Sequence, residues 1–85
     1  MSAYNLRETK TGTATFYKYD NGYYTFILDN EDAIVFEEIN KSVLDEFDLK
    51  SSLLKNKRFR VTFTETVQDD DEDMVIYRLE KLLSI

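Results

Sequence analysis

Three groups of residues hold most of the chemical potential of this chain. Asp69, Asp70, Asp71, Glu72 and Asp73 form an unbroken acidic run. Lys50, Lys55, Lys57, Arg58 and Arg60 succeed one another with no acid among them, and Tyr17, Tyr19, Tyr23 and Tyr24 crowd together further upstream. Alternate carboxylates at Asp69, Asp71 and Asp73, with Glu80 at the twelfth place, have the spacing of a calcium loop. The sixth place is Met74 instead of the glycine that makes the sharp turn, and residues 74–79 read as strand. The run is therefore expected to be a solvated connection or a charged docking site for a basic partner, with no metal bound. Adjacent carboxylates also repel any phosphate brought within a Debye length of roughly 8 Å.

The tyrosines have two uses open to them. Exposed rings stack on bases, and the same rings make good cross-strand pairs or anchor a protein contact. Strand alternation cannot bury both Tyr23 and Tyr24, so at least one is expected at the surface. Among the basic residues, Arg58 and Arg60 share one face of a strand, with Lys55 and Lys57 beside them. They suit a phosphate backbone, or ion pairs with Glu37, Glu38 or Glu65.

Catalysis finds little support. The chain has no Cys and no His, which removes the common zinc sites, thiol nucleophiles and imidazole bases. No carboxylate pair has the spacing of a general acid and base, and Gly12 and Gly22 belong to no phosphate-cradling loop. A non-enzymatic protein without a cofactor is expected.

Eighty-five residues leave room for one domain. Nearly all of the net charge of −6 sits in the acidic run, so the chain is dipolar along its length. No apolar stretch is long enough to span a membrane. The first residues lack the apolar heart of a secretory signal, and a short chain without disulfides fits a reducing cytoplasm.

Residues 1–10 show no periodicity and read as a lead-in to a single domain over 11–85. Residues 11–19 are rich in Thr and aromatics and read as strand, with Gly12 marking a bulge or close backbone approach. Asn21-Gly22 is a hairpin signal, because both residues tolerate positive φ. Residues 23–28 and 33–36 complete a three-stranded meander. Asn40 or Ser42 then caps a short helix carrying Val43, Leu44 and Phe47 on one face. Phe59, Val61 and Phe63 alternate with Arg58, Arg60, Thr62 and Thr64, the clearest strand of the chain, and residues 74–79 form the last.

The order β-β-β-α-β-β, with Gly12, Asn21-Gly22 and the Phe59/Val61/Phe63 alternation, resembles the oligonucleotide/oligosaccharide-binding (OB) fold over residues 11–83. Small bacterial proteins of OB-like texture are similar. The resemblance implies a mainly β, five-stranded antiparallel barrel whose end is plugged by Val43, Phe47 and Leu54. Asn56 stands where that fold often has a glycine, and can take the left-handed conformation. An SH3-like barrel or an α+β open sheet are the alternatives.

The function expected is a small binding module, with another protein as partner. Tyr17, Tyr19, Tyr23, Tyr24 and the run Asp69, Asp70, Asp71, Glu72 and Asp73 are the candidate contacts. The alternative is weak, salt-sensitive binding of single-stranded nucleic acid through Lys55, Lys57, Arg58, Arg60 and the exposed tyrosines.

Overall fold

Alternation sets the centre of the molecule. In the computed structural model, which describes residues 6–67 and 75–85, β5 (Arg58–Val67) buries Phe59, Val61 and Phe63 and leaves Arg58 and Arg60 exposed. Its neighbour β1 (Leu6–Asp20) pairs with it antiparallel from Leu6–Val67 to Thr15–Arg58. Beyond that point β1 changes partner. Ala14 to Asp20 pair with β2 (Tyr23–Leu28), and the turn between them holds Asn21 and Gly22 at φ of 50° and 90°. β3 (Ala33–Phe36) follows through a turn in which the Asp32 N–H donates to the Asn30 side chain at 3.0 Å. The expected meander is present.

The rest of the sheet departs from a five-stranded barrel. Among the described residues six strands form one sheet in the order β3-β2-β1-β5-β6-β4, and that sheet does not close. The additional strand is β4 (Glu38–Ile39), which pairs in parallel with Arg78 and Leu79 of β6 (Val75–Ser84). Glu37 alone separates β3 from β4, so a single residue carries the chain from one edge of the sheet to the other.

Asn40 is the N-cap of α1 (Lys41–Glu46), accepting from the Ser42 N–H at 3.0 Å. A single 3₁₀ turn, Ser52–Leu54, then leads to β5. Val43 is buried by the helix, while Phe47 and Leu54 are half-buried against the core. Leu49, between the two short elements, is buried more deeply than either of them. Phe16, Phe26, Phe36, Phe59 and Phe63 form the centre, with ring centroids 5.1 Å apart for Phe16–Phe26 and 5.6 Å for Phe36–Phe63. Val75, at the start of β6, is half-buried and stands outside this cluster, whereas Tyr24 and Leu82 belong to it.

Two other expectations change. The lead-in assigned to residues 1–10 is strand from Leu6 onward, because β5 supplies its ladder and the Lys10 ammonium reaches the Glu65 carboxylate at 3.0 Å. The irregularity expected at Gly12 lies instead at Tyr17. Phe16 pairs with Phe26 and Lys18 with Thr25, leaving Tyr17 as the extra residue of a bulge. At Gly12 a Cβ would meet only the Leu28 side chain at 4.0 Å, an ordinary contact. β6 carries a second bulge. Thr62 pairs with Lys81 and Phe63 with Leu79, so Glu80 is the extra residue there.

Candidate nucleic-acid interface

The bulge in β1 decides which way its aromatics face. Phe16 points into the core, Tyr17 and Lys18 both turn outward, and Tyr19 turns back to pack against the core. In an unbulged strand Tyr17 and Tyr19 would share a face by simple alternation. Tyr24 lies beneath Tyr19 with centroids 4.9 Å apart and is 5% exposed. Burial, and to a smaller degree Tyr19, raises its phenol above the ordinary tyrosine value. Tyr24 is thus a buried support and not a contact residue. Tyr17 and Tyr23 are each 46% exposed.

The segment before β5 closes over the bulge. Leu49 anchors its start in the core. Asn56, at φ of 70°, turns its end so that the Asn56 N–H donates to the Phe16 carbonyl at 2.8 Å. The Phe16 N–H in turn donates to the Lys57 carbonyl at 2.9 Å. Between these two anchors, Ser51 accepts from the Leu53 N–H at 3.1 Å. The left-handed role expected of Asn56 is what fixes Lys55 beside the bulge.

The result is a cleft of about 210 Å³ lined by Phe16, Lys18, Tyr19, Leu49, Lys50, Ser51, Ser52 and Lys55. The Lys50 ammonium lies 5.6 Å from the centre of the Tyr19 ring. The Lys18 and Lys55 ammoniums lie 5.8 Å and 5.6 Å from the centre of the Tyr17 ring. Cation–π contacts of this kind are worth about 0.5–1 kcal/mol at exposed sites. Among the described residues none of these three lysines forms an ion pair.

Other basic residues are engaged elsewhere. One Arg58 guanidinium nitrogen donates to both carboxylate oxygens of Asp29, at 2.9 and 2.8 Å, a partner outside the set Glu37, Glu38 and Glu65. Lys57 and Arg60 are exposed and line no part of the cleft. Of the four basic residues expected to bind nucleic acid, Lys55 alone is brought into it. Sequence reading left Lys18, Lys50, Ser51 and Ser52 out of the site. Lys50 was legible as a member of the basic stretch, but nothing local to Lys18 announces that a bulge turns it outward beside Tyr17.

Asp69, Asp70, Asp71, Glu72 and Asp73 lie outside the described residues. The strand ends that flank them, Val67 and Val75, pair with each other, and Val67 also pairs with Leu6. From Leu6 to Tyr17 along β1 is about 35 Å at ~3.3 Å per residue, several Debye lengths of roughly 8 Å each. Glu80, the twelfth place of the calcium-loop spacing, is occupied within the fold. It accepts from Thr64 at 3.3 Å, from Asn40 at 3.4 Å and from Arg78 at 3.3 Å. Among the described residues no helix is long and apolar enough to cross a membrane.

The chain matches no model of a protein family, no curated protein and no solved structure with which it was compared.

Proposed function

We propose that the protein is a small, non-enzymatic binding module and that it takes single-stranded nucleic acid at the cleft of Lys18, Lys50 and Lys55. The observation that supports this reading is the convergence of three ammonium groups, paired with no carboxylate among the described residues, on two tyrosine rings. Bases stack on exposed rings while the neighbouring cations hold phosphate, a pairing that tolerates any sequence. The described strand ends Val67 and Val75 lie at the Leu6 end of β1, away from the cleft at Tyr17. An OB-like barrel, left partly open, accords with the element order and with the passage of the chain from edge to edge at Glu37.

A protein partner is the second reading. It draws on Leu53, 82% exposed on the 3₁₀ turn beside the cleft, and on exposed Tyr23 and Val35. An amide NMR titration with mixed-sequence single-stranded oligonucleotides at low and raised salt separates the two. Nucleic-acid binding predicts shifts at residues 17–19, 50–52 and 55 that fade with salt. A flat titration, or one indifferent to salt, transfers the reading to protein contact.

A further inference from the structure

Resting on the nucleic-acid reading, we infer that the cleft takes a terminal phosphate, the monoester at the end of a nucleotide or short strand, in preference to a run of internal diesters. Lys18, Lys50 and Lys55 line a single space of about 210 Å³ together with Ser51 and Ser52. The Ser51 oxygen already accepts from the Leu53 N–H, so its own O–H is left to donate outward. A phosphomonoester carries about −1.5 to −2 charge near neutrality and offers three acceptor oxygens. An internal diester carries about one charge, and a cleft of this size has room for few of them. Lys18 and Lys55 both sit over Tyr17 although their charges repel. A dianion between them offsets that repulsion and draws the ammoniums off the ring, which frees a face of Tyr17 for the attached base.

The surroundings oppose a long track. Asp20 follows Tyr19 at the end of β1, and Asp45, Glu46 and Asp48 come shortly before Leu49 in the chain, all exposed. Arg58 is held by Asp29, Lys10 by Glu65, and Arg78 by Glu38 and Glu80. Lys57 and Arg60 are exposed but line no part of the cleft, so the cations that share one space are Lys18, Lys50 and Lys55.

The test compares ligands on the unaltered protein by calorimetry and amide NMR. The probes are a 5′-phosphorylated dinucleotide, the same dinucleotide with a 5′-hydroxyl, a twelve-nucleotide strand with hydroxyl ends, and inorganic phosphate alone. The phosphorylated dinucleotide is expected to bind at least about tenfold tighter than its hydroxyl form and no more weakly than the long strand. Its shifts should fall on Lys18, Lys50, Ser51, Ser52 and Lys55, with a slope of log affinity on log salt no steeper than about −2 for three lysines. Lys50→Ala with Lys55→Ala should remove the preference for the phosphorylated end. Affinity that climbs with strand length regardless of the end group overturns the terminal-phosphate inference and leaves nucleic-acid binding standing. Absence of binding by every strand overturns both. Inorganic phosphate binding as tightly as the phosphorylated dinucleotide also overturns the inference, since the ring then contributes nothing.

Discussion

The two β-bulges of this sheet do opposite things with one inserted residue. In β1 the insertion, Tyr17, is turned out beside Lys18 and presents an exposed ring to two of the lysines that line a basic cleft. In β6 the insertion, Glu80, is half-buried and collects hydrogen bonds from Thr64, Asn40 and Arg78. The alternation of buried positions reads correctly on both strands if the inserted residue is skipped. Phe16, Lys18 and Tyr19 then alternate, as do Leu79, Lys81 and Leu82. Neither strand needs its extra residue to bury its apolar face. The first bulge presents chemistry to the solvent, and the second ties a helix cap to the sheet.

That contrast can be tested by substitution and deletion. The largest loss is expected from the core common to both bulges. Phe63→Ala should cost about 3–5 kcal/mol, because its ring packs on Phe36 and Tyr77 and leaves a cavity. A denaturation midpoint close to that of the parent would show that this core does not support the sheet. Deleting Glu80 should come next, at on the order of 1–3 kcal/mol, as the Thr64 hydroxyl and the Asn40 amide lose their acceptor. Deleting Tyr17 should cost distinctly less, since the strand regularises and only an exposed ring is lost. Equal losses from the two deletions, measured by urea unfolding, would erase the distinction between the bulges.

Asn40→Ala should cost about 1 kcal/mol through loss of the N-cap. Combined with removal of the Glu80 carboxylate it should cost less than the sum, because both reach the same contact. The smallest effect is one of pH. The Tyr24 phenol lies above its ordinary value of 10.0, chiefly through burial. Its contribution to stability is complete below that value and is lost as pH rises through the higher value of the folded state. Lys10, raised by its hydrogen bond to Glu65 and then by that residue's charge, weakens the fold over the same alkaline range. Tyr24→Phe should therefore flatten part of the stability loss above pH 10 and leave the Lys10 part in place.

What the sequence disclosed depended on whether each strand had an apolar face. β5 was legible because Phe59, Val61 and Phe63 alternate with polar residues, and the Asn21-Gly22 turn because its chemistry is local. The early part of β1 was not, since Glu8 and Lys10 alternate with Arg7, Thr9 and Thr11 and show no apolar period. Its strand character comes from β5, a partner far along the chain. β4 is too short to have a pattern, and it exists only where β6 can receive it. The cleft was legible in part. Tyrosines and lysines were visible in two clusters, but their meeting depends on the bulge at Tyr17 and the turn at Asn56.

The single-residue step at Glu37 also sets an order in time. β1, β2 and β3 pair with their neighbours in sequence and need only short loops to do so. Among the described residues β4 pairs only with β6, and the Asn40 N–H is bonded to the Leu79 carbonyl at 2.8 Å. During synthesis the meander therefore emerges with one apolar face bare, and the helix, whose C-cap Phe47 packs on Phe59 of β5, gains its contact with β6 only when that strand arrives. Pairing Leu6 with Val67 also closes a long loop before its contacts are gained. Such non-local pairing places folding in the millisecond-to-second range typical of small all-β domains, and the last strand to be made completes the first helix to be capped.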